Sequence, residues 1–110
     1  MKEIVNELAK ELRTSLQTSL DDFEGLYVFG SQAKGNAQKD SDVDVVVLVK
    51  ANPDDRQKRS IIWGIVSQLD YKYYDDGLVL DLHPMTRQEL ERNYFFHDEV
   101  VNKGVFYAAA

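Results

Sequence analysis

Three features of the sequence predict a small mixed α/β (α+β) domain, a single mixed sheet of about three to four strands flanked by helices. Apolar residues recur at helical spacing near the start, a β-branched run follows a polar stretch, and helix-type and strand-type segments alternate through the rest. The length of 110 residues fits one domain over residues 1–110, with a modest core and no room for a second, acceptor-binding domain.

From Lys2 to about Leu16, the residues Ile4, Val5, Leu8, Leu12 and Leu16 lie three or four apart among Lys, Glu and Arg, which predicts an amphipathic helix. Asp21, Asp22 and Gly25 break that pattern, and Leu26 to Phe29 reads as a short buried strand leading to Gly30. After a polar, glycine-containing stretch, Asp42-Val43-Asp44 runs into Val45 to Val49, too β-branched and too short to favour a helix.

Asn52-Pro53-Asp54-Asp55 has the composition of a helix start, and the predicted helix runs to about Leu69 with Ile61, Ile62, Ile65, Val66 and Leu69 as its buried stripe. Trp63 is expected to pack at the edge of that stripe. Tyr71 to Gly77 reads as a loop or hairpin edge, whose Tyr71, Tyr73 and Tyr74 suit edge packing or contact with a base or partner. Leu78 to His83 reads as a third strand ended by Pro84, with Val79, Asp81 and His83 on one face.

Thr86-Arg87-Gln88-Glu89 matches a capping box, which predicts a further helix, broken near Asn93. Gly104 has the place of a helix C-terminal glycine, and Val105 to Tyr107 fits a last short strand.

Composition excludes several kinds of chemistry. No cysteine is present, which removes disulfides, thiolate nucleophiles and cysteine-bound zinc and fits a reducing cytoplasm. The charged N-terminus does not read as a signal peptide and no apolar run approaches a membrane span, so a cytoplasmic protein without membrane contact is expected. A net charge of −6 argues against tight binding of long nucleic acid. It leaves room for a single nucleotide, since divalent cations reverse the local charge of an acidic site.

The chemistry-bearing pattern is Gly30-Ser31, ten intervening residues, then Asp42-Val43-Asp44. Two aspartates two apart on a strand project from one face. They repel unless a cation lies between them, and Mg²⁺ takes carboxylate and phosphate oxygens. Gly30 allows close approach of a phosphate to the backbone, Ser31 adds an N–H and a hydroxyl, and Lys34 offers a compact positive charge. Asp81, an acid in an otherwise apolar strand, is placed to be a third carboxylate, the bland alternative being a surface acid at a strand end. His83 shares its face and reads as a structural histidine, and Asp54, Asp55, Arg56, Lys58 and Arg59 read as a solvated helix face.

The run Phe29-Gly30-Ser31-Gln32-Ala33-Lys34-Gly35-Asn36-Ala37, followed by Ser41-Asp42-Val43-Asp44-Val45, resembles the signature of the minimal nucleotidyltransferases in the DNA polymerase β-like superfamily. Lys34 stands where arginine is commoner. Glu89-Leu90 and Gly104-Val105-Phe106-Tyr107 are also similar to the ends of such proteins. The resemblance implies that Asp42, Asp44 and Asp81 hold Mg²⁺, two ions, and that Gly30 and Ser31 hold the triphosphate of ATP.

It further implies an antitoxin that moves AMP from ATP to a tyrosine of a helical HEPN toxin. The absence of an acceptor domain points independently to a second polypeptide. The alternative is a nucleotide-binding or toxin-masking subunit without chemistry. Homo- or hetero-oligomerisation is left open.

Overall fold

The structure, a computed structural model, describes residues 1–38 and 42–110. Ser41 of the quoted motif, with Lys39 and Asp40, lies outside the described residues. The chain runs α1 (Glu3–Ser19), β1 (Phe23–Phe29), a one-turn α2 (Ser31–Lys34), β2 (Val43–Val49) and α3 (Arg56–Lys72). It continues through a 3₁₀ turn (Tyr74–Asp76), β3 (Leu80–Met85), α4 (Arg87–Arg92), α5 (Tyr94–His97), a π-helical turn (Asp98–Asn102) and β4 (Val105–Ala108).

The strands form one mixed sheet in the order β3-β2-β1-β4. β1 pairs antiparallel with both β2 and β4, whereas β2 and β3 are parallel, as the intervening α3 crossover requires. Strand alternation then divides the side chains of β2 between two layers. Val43, Val45, Val47 and Val49 join Leu26 and Val28 under α1 and α3. Val46 and Leu48 face the other way and join Tyr27, Leu90 and Val100 under the C-terminal helices. Asp44 falls on this second face by the same alternation.

α1 is bound on one side by its buried Val5, Leu8, Leu12 and Leu16, the predicted stripe. Polar ties add register: the Tyr107 hydroxyl donates to Asn6 Oδ1 over 2.7 Å, and Asp70 accepts from the Leu80 N–H over 3.0 Å. The capping box forms as expected, with Thr86 accepting from the Glu89 N–H at 3.1 Å. The break near Asn93 forms too, and there the Asn93 side chain caps α5 by accepting from Phe96 N–H.

Several boundaries differ from expectation for identifiable reasons. α3 starts at Arg56, because Asp55 caps it through Lys58 N–H while Asn52 sits at φ +51° in the preceding turn. Its C-terminal end takes in Tyr71 and Lys72, expected to be loop, and the following Tyr73 is buried. β3 begins two residues later than expected and runs through Pro84 to Met85. Proline is tolerated there because β3 is an edge strand. Gly104 is required by space: an added Cβ would lie 2.3 Å from the Val100 carbonyl oxygen and 2.8 Å from that of Val28. Trp63, expected at the helix edge, is 72% exposed.

The start of α3 is fastened to the sheet by Lys58, whose ammonium lies 2.5 Å from Asp22 Oδ2 and also donates to the Ala51 carbonyl. Burial pushes the Asp22 carboxyl up, but the Lys58 hydrogen bond, the Ala51 N–H and the Lys58 charge outweigh it, and the net value falls below the ordinary 3.8. A carboxyl depressed in the folded state stabilises above its unfolded value, and that contribution is lost as pH falls through the folded one. Lys58→Met is therefore expected to flatten the acid limb of stability against pH, measured by urea unfolding from neutrality to about pH 2. It should also cost about 1 kcal/mol at neutral pH. An unchanged acid limb would show that Asp22 gains nothing from the lysine.

Candidate functional site

The parallel pairing of β2 and β3 aligns Asp44 with Asp81 and Val46 with His83. The Val43 N–H bonds to the Val79 carbonyl at 2.7 Å and fixes this register where both strands begin. Asp81 and His83 therefore project from the same sheet face as Asp44. The C-terminal helices cover Val46 and Leu48 on that face, while Asp44 is half-buried and Asp81 exposed. One ligand atom from each of Asp44, Asp81 and His83 lies within 4.8 Å of the others, and no second such group of His, Asp or Glu occurs among the described residues.

His83, read from the sequence as a structural histidine, has its Nε2 3.4 Å from Asp81 Oδ2. Its ring sits 5.8 Å from Phe29 and 6.2 Å from Phe96, and those two rings meet edge-to-face at 5.2 Å. The signal was present in the sequence as Asp81-Leu82-His83, since strand alternation puts both outer residues on one face.

Two like charges no more than 4.8 Å apart repel by at least about 1 kcal/mol in water and by at least roughly 3 kcal/mol at the effective dielectric of a protein surface. Asp44 registers this crowding. Burial is the largest cause raising its carboxyl above the ordinary value, the Asp81 carboxylate adds to it, His83 opposes it, and Asp42 adds again. A carboxyl raised in the folded state stabilises only at low pH, and that stabilisation is lost as pH rises through the folded value. At neutral pH the bare acidic strip thus works against the fold, and a cation among the carboxylates would offset it. Hard carboxylate oxygens at the mouth of a half-covered face suit a divalent cation such as Mg²⁺.

Asp42 lies just before β2, exposed, and acts on Asp44 through its charge; it is not part of the close group. Gly30 and Ser31 follow β1 directly, Gly30 preceding α2 and Ser31 opening it. Phe29 pairs with Asp44 across the antiparallel ladder, so the turn at Gly30 folds over the Asp44 carboxylate. A Cβ at Gly30 would lie 2.6 Å from Asp44 Oδ2, and the residue has φ +76° and ψ −154°, a backbone region almost confined to glycine. The glycine is thus needed by the aspartate and by its own backbone conformation. Lys34 is ion-paired with Glu99 at 2.9 Å. Nothing local announces that pairing, because the two residues are far apart in the chain.

Gly30→Ala is expected to combine backbone strain with collision against Asp44. A loss of roughly 1–3 kcal/mol in unfolding free energy should follow by chemical denaturation, partly relieved in the double variant with Asp44→Ala, which removes the colliding oxygen. Equal losses in the two backgrounds would break the link between turn and carboxylate.

Comparison with known proteins places the chain by family and by fold. The family described as "Nucleotidyltransferase domain" matches residues 5–107. A putative protein adenylyltransferase of Methanocaldococcus jannaschii is 38% identical over 103 residues, 94% of this chain and 94% of the relative. Among solved structures, a toxin-antitoxin with AMP-PNP superposes with a TM-score of 0.62 at 22% identity, covering 89% of this chain and 70% of the other. A mutant of the toxin-antitoxin MntA-HpeT gives 0.59 at 22% identity over 93% of this chain and 70% of its own. These two structural likenesses concern the fold; the family match and the archaeal relative place the chain by sequence as well, and it belongs to the nucleotidyltransferase domain family of transferase enzymes.

Proposed function

We propose that this chain is a Mg²⁺-dependent protein adenylyltransferase that moves AMP from ATP to a tyrosine hydroxyl of a partner protein, an antitoxin acting on a helical HEPN-type toxin in the cytoplasm. The observation that carries the reading is the register of β2 and β3, which sets Asp44 beside Asp81 on the open part of one sheet face, next to the Gly30-Ser31 turn. The archaeal relative named as a protein adenylyltransferase supports a protein acceptor. The toxin-antitoxin neighbours, one with AMP-PNP, support ATP and a two-protein setting.

In this reading the Gly30-Ser31 turn holds the triphosphate through backbone N–H groups and the Ser31 hydroxyl. Asp42, Asp44 and Asp81 hold Mg²⁺, two ions, which when bound offset the charge that develops on the attacking and leaving oxygens. The acceptor hydroxyl attacks the α-phosphorus, the bond to the β-phosphate oxygen breaks, and pyrophosphate leaves in line. Asp81, the most exposed of the cluster, takes the hydroxyl proton in this reading. Lys34, which also pairs with Glu99, adds a positive charge for a phosphate in this reading.

A partner surface is also available. Tyr94 and Phe95 are 80% and 83% exposed, and they immediately precede Phe96, which packs against Phe29 and His83. Exposed aromatics beside a site are the side chains that a protein partner covers to advantage.

The test is co-expression with the protein encoded beside it, followed by intact-mass measurement of that partner. A gain of whole AMP units is expected with the wild type, falling by at least about a hundredfold in rate when Asp42→Asn is combined with Asp44→Asn. An inhibited but unmodified partner would replace catalysis with masking.

A further inference from the structure

We infer that His83 is a ligand of the metal position formed by Asp44 and Asp81, and that its imidazole makes this position prefer a first-row transition-metal dication such as Mn²⁺ to Mg²⁺. The inference rests on the reading of the acidic strip as a metal site and names a residue outside the three carboxylates of that reading.

The geometry of the donor atoms is the first support. Two donors held at about 2.1 Å from one ion stand about 3 Å apart at right angles and about 4.2 Å apart when opposite. His83 Nε2 is 3.4 Å from Asp81 Oδ2, and all three donor atoms fall within 4.8 Å of one another. Closing onto a shared ion therefore needs side-chain adjustment of well under 1 Å on the His83–Asp81 edge. The same contact is long for the bond a structural histidine would make to a carboxylate, which is usually about 2.7–2.9 Å.

The support behind the imidazole is the second. Phe29 and Phe96 pack together against one side of the His83 ring, and its side chain stays 39% exposed. β3 fixes its height on the sheet, because Val46 opposite it is fully buried and cannot shift. A nitrogen donor held in place among carboxylates changes which metal is preferred. Mg²⁺ favours oxygen and keeps much of its water, whereas transition-metal dications gain from nitrogen; Mn²⁺, the hardest of them, suits the carboxylates and reports that gain with the least intrinsic advantage.

The experiment titrates the full chain with MnCl₂ against a background of MgCl₂, following free Mn²⁺ by electron paramagnetic resonance and bound Mn²⁺ by its pulsed nitrogen modulation. Wild type and His97→Ala are expected to bind Mn²⁺ at least about tenfold more tightly than Mg²⁺ and to show modulation from a coordinated imidazole. His83→Ala is expected to lose the modulation and about tenfold in preference for Mn²⁺. His83→Gln keeps a hydrogen-bond donor for Asp81, so it would rescue a purely positioning role; no rescue is expected.

Absence of nitrogen modulation, retention of the preference in His83→Ala, rescue by His83→Gln, or no Mn²⁺ binding would each overturn the inference. Its failure is separable from that of the proposed activity. Nitrogen modulation without AMP transfer leaves the ligand assignment standing, and AMP transfer without nitrogen modulation leaves the adenylyltransferase standing with His83 outside its metal shell.

Discussion

The alternation of side chains along β2, held in parallel register with β3, is the constraint on which the rest of this molecule depends. Every second residue from Val43 to Val49 enters the layer under α1 and α3, which fixes the strand against sliding. A slip of one residue would turn four valines into the wrong layer and carry the aspartate into the core. The parallel ladder then transfers this certainty to β3, and Asp81 and His83 are located as firmly as the valines are buried. The site's precision is thus borrowed from hydrophobic packing on the opposite face of the sheet.

Much of this was legible in the residues. The helical stripe of α1, the Val-rich strand, the capping box, the break at Asn93 and the terminal strand are local patterns, and each formed as its chemistry suggests. Sequence placed Asp81 and His83 on one face through period-two alternation. What it could not supply was the neighbour: that β3 lies beside β2 and not at the far edge follows from the crossover through α3, and so does the proximity of His83 to Asp44. Where local signals competed, the stronger won. Asn52-Pro53 looks like a helix start, yet Asp55 captures the Lys58 N–H and begins the helix three residues later.

Glycine at position 30 carried two meanings that sequence alone could not separate. Read locally, it opens the backbone to a ligand. In the fold it also yields space to a carboxylate of the neighbouring strand, so its lack of a side chain is required whether or not a ligand approaches. Lys34, read locally as a cation for a phosphate, also pairs with Glu99 of the C-terminal turn, a long-range contact that no local pattern announces.

Pro84 lies on the outermost strand, immediately after His83. A residue without an N–H on an exposed edge breaks the row of donors that another chain's strand would need for pairing. The border next to the acidic strip is therefore a poor template for sheet extension along β3.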